Sequence, residues 1–154
     1  MNNKFMARSI ELSIKSVNSG TGPFGAVIVK DNKIISEGFN KVTSSNDPTS
    51  HAEISAIRNA CKKLENFSLK GYVLYTTCEP CPMCLSAIYW ARIKKIYYAN
   101  TRSDAKKIDF SDALIYEELN KNISERKIPM HQMMRDEALK AFELWDKKED
   151  KVKY

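Results

Sequence analysis

The chain has 154 residues and is short of several things. No apolar run reaches the ~18 residues that a membrane span needs, so a spanning anchor is not expected. The opening stretch MNNKFMARSIELSIKS lacks the continuous apolar core of a secretory signal, and the expected compartment is the cytoplasm. Glycine and proline number five each, which excludes collagen-like and linker-rich chains. Repeats and low-complexity segments are absent. Histidine occurs only twice, at His51 and His131, and cysteine four times, at Cys61, Cys78, Cys81 and Cys84.

What is present is globular. Apolar residues make up 43% and aromatics 10%, enough for one core, and residues 1–154 read as a single domain. The net charge of +6 raises nucleic-acid binding as a first idea. Residues 1–100 hold 13 Lys and Arg against 7 Asp and Glu, whereas residues 101–154 hold 12 of each. A phosphate-binding arm would be lopsided, and the neutral C-terminal third argues against nucleic acid as a partner.

Hydrophobic spacing predicts one sheet covered by helices. Met6, Ile10, Ile14 and Val17 recur at helical spacing over residues 5–17. FGAVIVK (24–30) and KIISEGF (33–39) read as a hairpin joined at Asp31-Asn32, and residues 40–50 as a polar loop. A helix follows over 51–64 with Ile54, Ile57, Cys61 and Leu64 on one face, capped by Ser50 or Thr49. YVLYT (72–76) is a strand. Pro80 and Pro82 then announce a helix. KIYYA (95–99) is a further strand, buried by its tyrosines and isoleucine. Beyond residue 100 the pattern gives helices over 111–119 and 135–149. The second carries Leu139, Phe142 and Trp145 on its apolar side. ISERKIPMHQM (123–133) offers an edge strand limited by Pro129. The expectation is an α/β, three-layer α/β/α sandwich around a mixed five-stranded sheet.

Two motifs carry chemistry: His51-Ala52-Glu53 and Pro80-Cys81-Pro82-Met83-Cys84. Each falls where a helix is predicted to start. Cys81 and Cys84, at i and i+3, share one face of a first turn, so their sulfurs can converge on one ion. A helix N-terminus favours the thiolate form that binds metal. His51 supplies a third ligand. Two thiolates and a neutral imidazole balance Zn²⁺, and three protein ligands leave a fourth position for water, the catalytic pattern. Such a water loses its proton near neutral pH. Glu53 is poorly placed to chelate alongside His51, but suits a proton shuttle. Cys78 could complete a structural four-ligand site instead, although it sits at a strand end before Pro80. Cys61 reads as a core residue and His131 as structural or exposed.

The H-A-E…P-C-x-x-C pattern resembles the cytidine deaminase-like zinc hydrolases. The resemblance extends over GPFGAVIVK (22–30), SNDPTSHAE (45–53), TTCEPCPMCLSAIYWAR (76–92), FSDALIYEEL (110–119) and Tyr154, and within the family it is closest in character to the guanine deaminases. It implies one zinc per subunit on His51, Cys81 and Cys84, with Glu53 as the shuttle. It implies that Asn40 hydrogen-bonds a purine base and Phe24 stacks on it, while Ala52, Trp90, Asp112 and Tyr154 shape the pocket. It implies conversion of guanine and water to xanthine and ammonia, with zinc-bound hydroxide attacking C2 and Glu53 protonating N3. It further implies a homodimer in which the C-terminal segment, about residues 130–154, is exchanged between subunits.

Each pocket residue also has a plainer reading. Phe24 opens a buried strand, Trp90 can be core, Asp112 can cap a helix, and Tyr154 is terminal. Asn40 has the best physical case, because a side-chain amide both donates and accepts. Competing functions are deamination of tRNA adenosine, deamination of a free nucleoside such as guanosine or cytidine, and a zinc-stabilised scaffold without catalysis.

Overall fold

The structure, a computed structural model, describes residues 3–154. They divide into two compact units, one ending at Asp112 and the other spanning Ala113–Tyr154. The first unit holds helix α1 (Asn3–Asn18), strands β1 (Gly25–Lys30) and β2 (Lys33–Phe39), and a short helix α2 (Val42–Ser45). It continues with α3 (Ala52–Leu64), β3 (Val73–Cys78), α4 (Pro82–Trp90), β4 (Lys95–Asn100) and α5 (Arg102–Lys106).

The sheet is mixed, in the order β2-β1-β3-β4. β1 pairs antiparallel with β2 and β3, and β3 pairs parallel with β4. A parallel pair needs a crossover, and α4 supplies it. Side chains alternate faces along a strand. Ala26, Ile28 and Leu74 therefore point toward α3 and α4, in a core with Ala52, Ala56, Ala60 and Ile88. Val27, Val29 and Tyr75 point the other way, into a core with Phe5 and Leu12 of α1. Helices thus cover both faces, as the pattern predicts. Burying a side chain such as Ile28, which is fully inaccessible, contributes about 1.5–3 kcal/mol.

Two close approaches set where the helices lie. A Cβ on Gly38 would sit 2.3 Å from the Ala52 carbonyl oxygen and 2.4 Å from the Ala56 nitrogen, so α3 rests directly on β2. A Cβ on Gly25 would sit 2.2 Å from the Ser9 carbonyl oxygen, so α1 rests on β1 in the same way. The second approach overturns the expected face of α1. Ile10, Ile14 and Val17 are exposed, and the buried side chains are Phe5, Ser9, Leu12 and Ser16. Small serines let the backbones meet, and hydrogen bonds compensate their burial: Ser9 Oγ lies 3.1 Å from both the Phe5 and Tyr75 carbonyl oxygens.

The described residues contain four strands, not five. The stretch 123–133, expected as an edge strand, holds a 3₁₀ turn (Ile123–Glu125) and otherwise irregular chain. Pro129 has no N–H for a ladder, the Glu125 carboxylate caps the turn through Asn122 N, and the Lys127 N–H is taken by Glu118 at 2.6 Å. β4 is also less buried than expected, with Tyr98 half exposed, because it is the sheet's edge. Part of the expected polar loop is helical, as α2.

The second unit holds α6 (Ala113–Leu119), the 3₁₀ turn and α7 (Arg135–Lys147). α7 ends two residues before its expected limit. No helix among the described residues is long and apolar enough to cross a membrane.

Candidate metal centre

The site is built on two helix starts. His51 is the N-cap of α3 and Cys81 the N-cap of α4, each with extended backbone (ψ 162° and 167°) and neither making a side-chain capping bond. The sequence expectation of a Ser50 or Thr49 cap is therefore corrected. Thr49 instead folds back on Asp47, whose Oδ1 accepts from its N–H at 2.8 Å and its hydroxyl at 2.7 Å. Pro82 takes the first helical position of α4, where its missing N–H costs nothing. Cys84 then stands three residues after Cys81, the spacing at which an N-cap side chain and the first turn face each other.

The His51 Nδ1 atom lies 3.6 Å from Cys81 Sγ and 3.5 Å from Cys84 Sγ. Ligand atoms at ordinary zinc distances, about 2.1 Å for nitrogen and 2.3 Å for sulfur, stand roughly 3.6 Å apart around a tetrahedron. All three donor atoms lie within 4.8 Å of one another, and the three residues can hold a metal ion. The donor set of two sulfurs and one imidazole fits zinc. Cys78 is not part of this cluster. Its thiol lies 3.7 Å from the Thr101 carbonyl oxygen, and burial pushes it up to about 11.

Electrostatics separate the two thiols. The neighbouring Cys84 thiol holds Cys81 down to about 4, against the effect of burial, with His51 adding to the depression. Cys84 is pushed strongly upward, first by Cys81 and then by burial. The Cys81 sulfur raises His51 above its usual value.

Glu53 occupies the first turn of α3 and is 6% exposed. Burial raises its pKa, the direction a proton carrier needs. One carboxylate oxygen accepts from the Thr76 hydroxyl at 2.9 Å, and the other lies 3.4 Å from Cys84 Sγ. The carboxylate is thus held beside the three residues that can hold a metal ion without being one of them.

Asn40 and Phe24 flank Gly22. A Cβ there would lie 3.3 Å from both side chains. Asn40 is buried, and its Oδ1 accepts from Val42 N at 3.1 Å. The Phe24 ring meets Phe110 edge-on, with centroids 5.1 Å apart. Asp112 lies 3.6 Å from the Arg102 guanidinium, and Glu79 ties the Arg102 backbone N–H at 3.1 Å. Ala52 is wholly buried against the sheet. Trp90 is 66% exposed at the end of α4, which excludes the core reading. Tyr154 is 70% exposed at the end of the second unit. His131 is exposed, and Cys61 is half-buried against the core.

The cytidine and deoxycytidylate deaminase zinc-binding region matches residues 1–100, which include Glu53 and all three residues that can hold a metal ion. The chain belongs to this deaminase family. It is 52% identical to guanine deaminase of Bacillus subtilis over 151 residues, 97% of each chain. The X-ray structure of a guanine deaminase from Bacillus subtilis superposes with a TM-score of 0.96 at 51% identity, covering 100% of this chain and 99% of that one. A tRNA-specific adenosine deaminase of Buchnera aphidicola subsp. Schizaphis graminum is 38% identical over 136 residues, 88% of this chain and 87% of its own.

The sequence reading of this deaminase domain missed Thr76, Phe110 and Arg102. Thr76 had a signal: it shares the inward strand face with Leu74, where a polar side chain needs a partner. Phe110 and Arg102 had none, because their contacts are set by tertiary placement.

Proposed function

We propose that this chain is a guanine deaminase: it hydrolyses guanine to xanthine and ammonia, in purine catabolism or salvage. The observation that carries the reading is the buried Glu53 carboxylate beside three residues that can hold a metal ion. A scaffold would need the ligands but not an acid with a raised pKa at their edge. Likeness to guanine deaminase along nearly the whole chain supports the choice of base.

His51, Cys81 and Cys84 would hold one zinc per subunit. When bound, zinc supplies a Lewis acid that makes a water acidic enough to ionise near neutral pH. Glu53 takes up one proton of the attacking water and delivers it to the purine ring nitrogen N3, then carries that water's second proton, released as the C2 carbonyl forms, to the departing amine. Thr76 holds the carboxylate in place for both transfers. Asn40 binds the base edge through its amide. Phe24, steadied by Phe110, lies against the ring. Ala52, Asp112 and Trp90 would bound the pocket, with Tyr154 of a second copy of the chain closing it.

The protein acts as a homodimer in the cytoplasm. Four free cysteines suit a reducing compartment. The second unit carries apolar side chains that a single chain leaves in water, including Ile128 at 78%, Phe142 at 73% and Leu144 at 72% exposed. Large exposed apolar surface marks an interface, and a second copy of the chain, taking up residues 130–154, would bury it.

The deciding experiment measures ammonia release by the zinc-loaded protein on guanine, guanosine, adenine, cytosine, cytidine and a tRNA anticodon stem-loop. Rapid turnover of guanine is expected. Turnover of the stem-loop without turnover of guanine would overturn the assignment in favour of the tRNA-directed relatives.

A further inference from the structure

Helix α1 ends in a six-residue turn. Thr21 N donates to the Ser16 carbonyl at 3.1 Å and Gly20 N to the Val17 carbonyl at 2.9 Å, with Gly20 at φ +75°. This is the Schellman pattern, which sets the side chain after the glycine against the helix's last turn. An apolar contact is usual there. Here it is a pair of hydroxyls: Ser16 Oγ and Thr21 Oγ1 are 2.6 Å apart, and Ser16 is fully buried.

The pair has two protons and three nearby carbonyls. Ser16 Oγ lies 2.6 Å from the Gly22 oxygen and 3.2 Å from the Asn40 oxygen. Thr21 Oγ1 lies 2.8 Å from the Asn40 oxygen and 3.0 Å from the Ser16 oxygen. Two arrangements use both protons, Thr21 to Ser16 to the Gly22 oxygen or Ser16 to Thr21 to the Asn40 oxygen, and the second also serves the Asn40 oxygen, which the first does not. The Gly22 oxygen is then still served by Phe24 N at 2.8 Å. The Asn40 carbonyl is thereby tied to the end of α1. Its side chain is tied separately, because Oδ1 accepts from Val42 N. With the oxygen engaged, Nδ2 is the atom left to donate to an acceptor on a ligand.

We propose that the Ser16–Thr21 hydroxyl pair is a positioning device for the Asn40 amide, and so sets how tightly the purine base is held. The proposal rests on Asn40 binding the base. The pair touches neither the base nor the metal. It acts by fixing the backbone from which the amide projects. Its loss weakens ground-state and transition-state binding alike, which raises KM more than it lowers kcat.

The test is Thr21→Val, which keeps the shape of the side chain and removes the hydroxyl, with Thr21→Ser as the conservative control. Steady-state kinetics on guanine are measured for both, for Asn40→Ala, and for the double variant Thr21→Val/Asn40→Ala, alongside zinc content and Tm. Thr21→Val is expected to raise KM about fivefold, the loss of roughly one hydrogen bond, with kcat within about twofold and zinc unchanged. Thr21→Ser is expected to behave as wild type. In the Asn40→Ala background Thr21→Val should add less than about twofold, because the group it positions is gone. An unchanged KM for Thr21→Val would overturn the proposal. So would an effect of equal size with and without Asn40, since that marks a merely structural role. Failure of the functional reading shows separately, as a wild type that does not deaminate guanine, and that result overturns both.

Discussion

The Thr76 hydroxyl donates to Glu53 Oε1 at 2.9 Å, from a strand residue that is 1% exposed to a carboxylate that is 6% exposed. A strand in the middle of the sheet thus aims the acid that a neighbouring helix carries. Replacing Thr76 with Val removes the donor and keeps the shape. The expected result is a fall in kcat of about tenfold, because a base that is misoriented transfers protons poorly, with zinc content unchanged. Glu53→Gln keeps the bond geometry but cannot carry a proton. It should retain metal and lose at least about a hundredfold in kcat. Metal analysis beside kinetics checks both, and an active Glu53→Gln would sink the shuttle role.

Removing the metal should cost stability as well as activity. A group that binds only the folded chain stabilises it in proportion to the logarithm of its concentration over Kd. Treatment with a strong chelator is expected to lower Tm by several degrees and abolish turnover, and added zinc should restore both. Cys81→Ser should behave like the chelated protein and not respond to added zinc at stoichiometric levels. A chelated protein with wild-type Tm would mean that the cluster does not hold the ion.

Arg8 grips Glu37 with two bonds, Nε to Oε1 at 2.7 Å and the second guanidinium nitrogen to Oε2 at 2.8 Å, joining α1 to β2. That grip lowers the Glu37 pKa below its ordinary value of 4.5. A carboxyl lowered in the folded state contributes stability above its unfolded value, and the contribution is lost as pH falls through the folded value. The pair is partly solvated, so its worth is about 0.5–1 kcal/mol after screening. Glu37→Gln should therefore be less stable than wild type at pH 7, with the gap closing as pH drops below 4.5 and shrinking in high salt. Urea titrations across pH measure it, and a gap that persists at low pH would exclude the ion pair as its source.

Gly38→Ala should be severe for one methyl group. Backbone atoms of α3 stand 2.3 and 2.4 Å from the new Cβ, and neither can swing aside. A loss of about 1–3 kcal/mol is expected, with a fall in kcat as the helix carrying Glu53 is pushed from the sheet. Tm and kinetics read the two effects together.

The C-terminal segment should matter more to catalysis than to folding. Deleting residues 151–154, and with them Tyr154, is expected to leave Tm within a few degrees and to reduce turnover of guanine strongly. Normal turnover by the truncated protein would overturn the proposed substrate role of Tyr154.

Much of this was legible in the residues themselves. Cys81 and Cys84 announce their convergence by spacing alone, because a first helical turn has only one way to place positions three apart. The continuous apolar run of FGAVIVK located a strand buried on both faces, and YVLYT marked another. The face of α1 was not legible. Ile10, Ile14 and Val17 outbid Ser9 and Ser16 on any hydrophobic count, and only the approach of Ser9 to Gly25 shows why serines lie inside. The fifth strand failed for a related reason: 123–133 has strand-like residues, but its N–H groups and carboxylates satisfy one another locally. Thr76 escaped because its partner lies 23 positions away in sequence.

His51 and Cys81 stand at the two N-cap positions where Ser, Thr, Asp or Asn would serve best. This has a consequence for engineering the protein. Optimising helix caps is among the safest routes to a more heat-resistant enzyme. At these two helices that route is closed, since any better cap would remove one of the residues that can hold a metal ion. Thermostable variants of this chain will have to draw their gains from elsewhere, such as its loops.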